Sequence, residues 1–328
     1  MLNKTCFIET PKDYSFTKTC NFAFSPEGIS PNGNFSTTYY DSITYKKVIE
    51  SNNRLFLSEV TDTENNSLKV TVTGENLSDK DVATVTNTLS RILGITQNPN
   101  LFYKTHQSDP IIGPLISKYY GLHIPQSNSV FEGLVTAIVG QQISTSVAKM
   151  LRSLLIEKYG ESLTINGNKF YVFPTPEKIM SVGIEELHAN KFSRRKAEYI
   201  CGIATSICTN ELDIDKLSTS SYEIAMKNLI SLRGVGIWTA QWLLIGSLGF
   251  EGSFRDLNIK NGKLYDDEIE EIFGDTLEAV VEGYLSRWLR TKMGTLAFII
   301  LTDQFPRHIY RGHEASFAFG PIALTAAK

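Results

Sequence analysis

Apolar and polar residues alternate in the first third of the chain. Residues 68–73 read apolar, polar, apolar, polar, which is the period of a β-strand with one buried face. The run Arg54–Val60 lies between turn-forming residues and predicts a second strand. Ser78 precedes apolar residues at helical spacing and predicts the N-cap of a helix that ends near Gly94. Residues 1–110 are therefore expected to form an α+β platform domain.

The spacing of apolar residues changes to that of helices after residue 110. Ser129 and Glu132 stand three residues apart ahead of an apolar run, which is the pattern of a capping box at a helix start. That helix is expected to break at Gly140–Ser144, before the next helix begins. The fold class is thus mainly α with an N-terminal α+β domain. A helical domain is expected over residues 111–262 and a helical C-terminal segment of different origin over residues 263–328.

Two of the predicted helices are joined by a short glycine-rich turn. A helix over Ser220–Ile230 is followed by Gly234, Val235 and Gly236, and then by a second apolar run that continues to Leu248. Glycine permits a positive φ and leaves the backbone open to a ligand. The free amides at the start of the second helix suit a phosphate. A Gly-x-Gly turn alone also fits an ordinary connection between helices, so its interpretation depends on the longer motif around it.

The overall charge gives no general case for nucleic-acid binding. The 328 residues carry a net charge of −3 and an isoelectric point near 6.0. Any contact with DNA must therefore come from a local patch or from backbone amides. The best local patch is formed by Arg194, Arg195 and Lys196 at the predicted start of a helix. Taken alone, this cluster also fits an exposed charged turn.

The sequence carries no signal for a metal site, a membrane span or secretion. The four cysteines form no Cys-x-x-Cys pair, so the cysteine half of a zinc-finger pattern is missing. No apolar run approaches the length of a membrane span, and the N-terminus lacks the apolar core of a signal peptide. We therefore expect an intracellular protein, in the cytoplasm with the nucleoid or in a nucleus, without side-chain metal ligands.

Four stretches together resemble one protein family. They are Phe131–Ser144, Phe173–Glu177, Lys196–Ile200 and the hairpin Leu232–Trp242. Over residues 1–256 the chain is similar to DNA-3-methyladenine glycosylase II, the alkylated-base branch of the helix-hairpin-helix base-excision glycosylases. The resemblance implies an enzyme that hydrolyses the N-glycosidic bond of alkylated purines in double-stranded DNA. It also implies a monomer that needs no organic cofactor.

Glycosylases of this family place a carboxylate near the sugar, where it stabilises the cation that forms as the bond breaks. The resemblance assigns this role to Asp256, which also suits the N-cap of a helix beginning at Leu257. Relatives carry a Pro-Ala-x-Asp-like segment here, and the loop before Asp256 is about two residues shorter, enough to shift the carboxylate by several ångströms. Because small misplacements lower catalytic rates, the short loop puts the catalytic role in question.

The hairpin carries two tryptophans, Trp238 and Trp242, whose spacing places them on one helical face. Such a face can stack a flipped alkylated purine, whose positive charge favours cation–π attraction. The alternative is that both are core residues. The resemblance places both near the base pocket. Lyase members of the superfamily carry a Schiff-base lysine at the position of Trp238, so the resemblance implies a monofunctional glycosylase that uses water.

The remaining DNA contacts follow from the resemblance. Gln142, next to Gln141, matches the residue that fills the gap left by the flipped base. Both glutamines also fit a polar turn between helices. The backbones of Gly234 and Gly236, with Thr239, are expected to hold a phosphate. The family further implies a monovalent cation bound by carbonyl oxygens of the hairpin.

The resemblance ends after Asp256. Asp266–Glu282 contains eight acidic residues and no lysine or arginine, a poor surface to offer DNA. Residues 265–328 look like part of an uncharacterised bacterial helical family with an Asp-Gln-Phe-Pro-Arg motif and a repeat-like fold. The chain thus reads as a glycosylase without its final helices, joined to a fragment of another family. Two alternatives stay open: a DNA-binding protein with impaired catalysis, and a fusion whose C-terminal segment mediates protein interaction.

Overall fold

The computed structural model describes residues 1–23, 36–63, 65–110, 112–250, 262–311 and 313–327. The chain folds into two compact units, Met1–Ser253 and Phe254–Lys328. The fold class predicted from the sequence is confirmed, because the described residues are mainly helical and the sheet lies near the N-terminus. The predicted boundary at residue 110 falls inside the first unit and stays a prediction.

The first unit begins with a five-stranded antiparallel sheet in the order β1-β5-β4-β3-β2. Its strands are β1 (Leu2–Glu9), β2 (Thr38–Tyr40), β3 (Thr44–Ser51), β4 (Arg54–Asp62) and β5 (Ser67–Gly74). β3 and β4 are joined by Asn52 and Asn53, both with positive φ, which is the backbone of a tight two-residue hairpin turn. Both strands predicted from the sequence are present, and in β5 buried residues alternate with more accessible ones, as the sequence predicts.

Two helices cover one face of this sheet, namely α1 (Phe16–Ala23) and α2 (Asp79–Ile92). The prediction for α2 is confirmed: the Ser78 hydroxyl accepts the backbone N–H of Asp81, and the Asp81 carboxylate accepts the backbone N–H of Ser78. The apolar residues of the sheet and both helices share one core, which includes Phe16, Tyr45, Phe56, Val70, Val85 and Leu89.

Helices dominate the rest of the first unit. They are α3 (Asn100–His106), α4 (Ile112–Tyr119), α5 (Val130–Gly140), α6 (Thr145–Tyr159), α7 (Pro176–Ala189, broken at Gly183), α8 (Arg194–Cys208), α9 (Ile214–Thr219), α10 (Tyr222–Ser231) and α11 (Ile237–Gly246). A hairpin of β6 (Ser162–Ile165) and β7 (Asn168–Tyr171) packs on the other face of the sheet. α5 contacts α6, α8 and α11, so a second core forms around it and holds the elements discussed below.

A buried cluster of charges joins the sheet to the helices around α5. Ser129 caps α5, but the predicted capping box is only half formed, because the Glu132 carboxylate turns elsewhere. Its Oε1 accepts the Thr37 hydroxyl at 3.0 Å and a guanidinium N–H of Arg152. Lys47 lies buried beside this pair and donates to the Thr37 carbonyl at 3.2 Å. The charge of Glu132 is therefore used to connect two layers of the fold.

The second unit is helical where it is described. It contains α12 (Gly262–Val281), α13 (Lys292–Asp303), α14 (Phe305–Ile309), α15 (Gly320–Ala327) and 3-10 helices over Ser286–Arg290 and Glu314–Phe317. A small apolar core forms around Leu277, Val280, Phe298 and Leu301. Asp266 accepts hydrogen bonds from His308 and Arg311, which ties α12 to the chain around α14. Throughout the described ranges, no helix is both long enough and apolar enough to cross a membrane.

Candidate functional site

The predicted helical hairpin is formed by α10 and α11. Ser221 caps α10, and α11 begins after Gly236. In the turn, the backbone N–H of Val235 donates to the Leu232 carbonyl at 3.0 Å. The Val235 side chain is buried in the core around α5. One apolar side chain therefore anchors a turn whose two glycines stay at the edge of that core.

The two glycines of the turn differ in backbone conformation and in the space around them. Gly234 has a φ of +93°, and a Cβ built there would lie 2.3 Å from the ring of Tyr199. Gly236 has a φ of −89°, which any residue adopts, and a Cβ there would meet no described atom within 4 Å. Gly234 is thus required by the fold. Gly236 leaves space beside the amides that begin α11.

The start of α11 combines free amides with an exposed indole. The first N–H groups of any α-helix have no intrahelical partners, and in α11 the N-cap residue is Gly236, which has no side chain to accept them. Trp238, in the first turn of the helix, is 67% exposed. Partial positive charge at a helix start favours an anion. An anion and a flat, electron-poor ligand would therefore find complementary groups within one helical turn.

Trp242 and Thr239 occupy more enclosed positions on the same helix. Trp242 is half-buried and packs against the core around α5. Thr239 is buried, so its predicted contact with a phosphate stays a prediction. Trp238 is therefore the tryptophan that is exposed and available for stacking, whereas Trp242 packs α11 against the core.

The turn between α5 and α6 lies against the hairpin. The side-chain amide of Gln141 donates from Nε2 to the Gly234 carbonyl at 2.9 Å. Gln142, the next residue, is exposed and has a φ of +57°. Of the two glutamines predicted to contact DNA, Gln141 is engaged within the protein and Gln142 points its side chain to solvent.

The basic residues that open α8 are mostly engaged as well. The helix begins at Arg194 as predicted, and Ser193 caps it. Arg194 forms an ion pair with Glu185 at 2.6 Å, in which both side chains are largely exposed. Lys196 donates from Nζ to the Val139 carbonyl at 2.7 Å, and burial lowers the pKa of its ammonium group. Lys196 is thus hydrogen-bonded to the C-terminal end of α5, and the Arg194 side chain stays largely exposed to solvent.

Tyr199 is a residue of this region that the sequence analysis did not single out. The guanidinium of Arg195 donates to its hydroxyl at 2.5 Å, and those of Arg195 and Arg233 lie over its ring. The ring also fills the space beside Gly234. The four-residue spacing of Arg195 and Tyr199 on a helix is the only local signal for this arrangement. Two arginines are therefore held next to the hairpin turn.

Gln241 is another residue that sequence reasoning missed. It is fully buried on α11, and within the described structure neither its Oε1 nor its Nε2 has a hydrogen-bond partner. An unsatisfied buried amide costs about 1–3 kcal/mol. The helix that carries Trp238 and Trp242 thus contains a buried amide for which no partner lies among the described residues.

Two predictions for the site cannot be placed on this geometry. Asp256 lies outside the described residues. The monovalent cation expected at the hairpin stays a prediction, and the Gly234 carbonyl of that turn accepts a hydrogen bond from Gln141. In the described ranges, no group of three or more His, Cys, Asp or Glu side chains is arranged to hold a metal ion.

Comparison with known proteins gives different relatives for the two parts of the chain. Residues 248–328 match a family described as a bacterial protein of unknown function (DUF924). A DNA-3-methyladenine glycosylase of Bacillus subtilis is 35% identical over 182 residues, which is 52% of this chain and 60% of that protein. The chain therefore spans less than two thirds of this relative's length.

Solved structures extend the similarity. A 3-methyladenine DNA glycosylase from Archaeoglobus fulgidus matches with a TM-score of 0.64 and 30% identity, over 75% of this chain and 80% of that one. An 8-oxoguanine glycosylase/lyase of Clostridium acetobutylicum matches with a TM-score of 0.57 over 83% of this chain and 86% of that one, at 15% identity, and so shares the fold alone. Both resemblances predicted from the sequence are confirmed by these matches.

Proposed function

The chain belongs to the 3-methyladenine DNA glycosylase family of helix-hairpin-helix proteins, and from this premise we propose that it is a DNA glycosylase. Its substrate would be double-stranded DNA that carries an alkylated purine. Its reaction would be hydrolysis of the N-glycosidic bond, which leaves an abasic site. The proposal places the protein in base-excision repair, where damaged DNA is its partner.

The start of α11 carries this proposal. Gly236 leaves the first amides of the helix open, and the exposed Trp238 stands two residues further on. A phosphate of the DNA backbone fits the amides, since they offer N–H donors and partial positive charge. A base turned out of the duplex then stacks on the indole, which favours a cationic purine over a neutral one.

The chemistry requires one water and one carboxylate. As the bond between C1′ and the base nitrogen breaks, its electron pair leaves with the base and neutralises the charge of the alkylated purine. The sugar becomes an oxocarbenium-like cation, which a carboxylate stabilises. The water oxygen bonds to C1′ and passes a proton to that carboxylate. The sequence resemblance assigns this role to Asp256, and the tryptophan at position 238 offers no amine for a Schiff base.

Replacing Trp238 by alanine should slow base release without unfolding the protein. Stacking of a base on an aromatic side chain is worth about 1–3 kcal/mol, so release should fall roughly tenfold to 100-fold. Because Trp238 is largely exposed, the melting temperature should stay close to that of the wild type. The measurement is single-turnover release of the cationic base 7-methylguanine from methylated duplex DNA. Ile237→Ala, an exposed apolar residue one position earlier, is the matched control and should change the rate little.

One observation favours a second candidate, a DNA-binding protein without catalysis. Asp256 lies within residues 248–328, the part of the chain that matches the other family. A carboxylate that belongs to this segment need not take the position that the glycosylase family requires. In this candidate, the hairpin and Trp238 hold damaged DNA, and no bond is broken.

Replacing Asp256 by asparagine distinguishes the two candidates. If Asp256 stabilises the sugar cation, release of alkylated purines should fall about 100-fold or more, the size found when one electrostatic partner of a transition state is removed. Binding to duplex DNA with an abasic site should persist. Equal rates in the wild type and the variant would reject Asp256. A folded wild type that binds abasic DNA and releases no base would favour the second candidate.

A further inference from the structure

The hydrogen bond between Gln141 and Gly234 joins two segments that lie far apart in the sequence. The donor is the side-chain amide that follows α5, and the acceptor is a carbonyl of the hairpin turn, 93 positions later. The bond measures 2.9 Å and is half-buried, which strengthens it relative to an exposed one. The contact therefore fixes where the end of α5 stands relative to the hairpin.

The Gly234 carbonyl belongs to a peptide plane whose orientation is held on both sides. Tyr199 packs so closely against Gly234 that no Cβ fits there without a shift, and the φ of +93° is one that favours glycine. The same peptide plane carries the N–H of Val235, which donates to Leu232. Gln141 thus engages the element that orients the amides at the start of α11.

Gln142 directly follows Gln141, the donor of this hydrogen bond. Its φ of +57° is unusual for a residue with a side chain and costs about 1–2 kcal/mol. Its neighbours on the N-terminal side are fixed, since Lys196 holds the Val139 carbonyl and Gln141 holds the hairpin. The exposed Gln142 side chain is therefore presented from a strained and pinned backbone. Strain that surrounding contacts enforce is typical of functional positions.

We infer that Gln141 is a positioning residue, which couples phosphate binding at the hairpin to the insertion of Gln142 into the base stack. The inference rests on the proposed function. When a DNA phosphate settles on the amides of α11, the turn around Gly234 is fixed, and the Gln141 amide transmits that position to the adjacent residue. Gln141 does not itself contact DNA in this arrangement, which revises its predicted role.

A double-mutant cycle tests the coupling. Gln141→Met keeps the length of the side chain and removes its N–H donor, and Gln142→Ala removes the inserted side chain. The probe is a duplex with one ethenoadenine flanked by 2-aminopurine, whose fluorescence rises when the adjacent stack opens. Gln141→Met should reduce this rise about tenfold. The Kd for undamaged duplex should change less than about twofold, because the phosphate-binding amides remain.

The double variant and a rescue variant give the decisive comparison. If Gln141 acts through Gln142, the Gln141 substitution should have no further effect once Gln142 is alanine. The double variant should then open the stack as much as Gln142→Ala alone. Gln141→Lys restores a donor for the Gly234 carbonyl and should recover most of the fluorescence. A merely structural role would weaken binding to undamaged duplex by the same factor as stack opening, and the two substitutions would multiply. Either result would overturn the inference.

The same experiment separates failure of the inference from failure of the proposed function. Stack opening and DNA binding are measured without base release, so the cycle is informative even for a protein that only binds damaged DNA. A wild type that releases the base, combined with multiplying effects in the cycle, would reject the coupling and retain the glycosylase. A folded wild type that neither opens the stack nor binds DNA would reject both.

Discussion

Glu132→Gln should lower the free energy of unfolding by about 3–5 kcal/mol, the range found when one partner of a buried ion pair is removed. The Glu132 carboxylate is buried and accepts hydrogen bonds from Thr37 and Arg152. Glutamine has nearly the same shape, so packing stays the same while Lys47 and Arg152 lose their counter-charge. Denaturant unfolding followed by circular dichroism measures the difference.

A surface pair in the same sheet provides the matched control. Lys46 and Glu59 face each other across β3 and β4 and form an ion pair with both side chains about one third exposed. Water already solvates these groups, so Glu59→Gln should cost at most about 1 kcal/mol. If Glu132→Gln cost no more than this control, the buried cluster would contribute little to holding the sheet and the helices together.

The decrease in the free energy of unfolding caused by Glu132→Gln should also depend on pH. Burial by itself raises the pKa of the Glu132 carboxyl, but Lys47 and Arg152 outweigh it and hold the pKa below its usual value. A lowered folded-state pKa contributes stability above the unfolded-state pKa, about 4.3 for glutamate, and this contribution disappears as the pH falls through the folded-state pKa. The difference between wild type and variant should therefore be largest near neutral pH and shrink in acid.

Gly234→Ala should be strongly destabilising, and Gly236→Ser should not. At Gly234 the added methyl group meets both a positive φ and the Tyr199 ring, so about 2–5 kcal/mol should be lost. Gly236 has an extended backbone and open space in the described structure. Serine is a favourable N-cap, so stability should change by only a few tenths of a kcal/mol, roughly.

Gly236→Ser should keep its stability but bind DNA less tightly. The hydroxyl introduced by Gly236→Ser would accept the helix-start amides that we assign to a phosphate, and the new side chain would occupy the approach. Affinity for duplex DNA should fall about tenfold or more, because hydrogen bonds to a charged group contribute about 1.5–3 kcal/mol each. The checks are thermal melting and fluorescence anisotropy with a labelled duplex. Unchanged affinity in Gly236→Ser would show that phosphate does not bind at the start of α11.

Local features of this protein could be predicted because the residues that produce them are neighbours in the chain. Ser78 and Asp81 form their reciprocal cap within three residues, and the strands of the sheet follow from alternation over a few positions. The hairpin could also be predicted from the sequence, since it is specified by two glycines between two apolar runs. The motifs shared with the glycosylase family added the expected site residues.

The same local rules fail where a side chain finds a partner far away in the sequence. Glu132 fits a capping box by spacing, yet its partner Thr37 lies 95 positions earlier. Lys196 fits an exposed basic patch, yet it donates to Val139, 57 positions earlier. A buried charge or a helix-end carbonyl binds whichever group the packing brings near, and spacing along the chain contains no information about that group.

By itself, the sequence determined the mainly helical class, the strand and helix starts, the hairpin and the family to which the chain belongs. Only the tertiary structure decided that Trp238 is exposed while Trp242 supports the core, and that Gln141 holds the hairpin while Gln142 faces solvent. Helical periodicity gives both tryptophans the same face, and adjacent glutamines are chemically identical. Burial and hydrogen bonding depend on what packs against each side chain, and that is settled only when the helices come together.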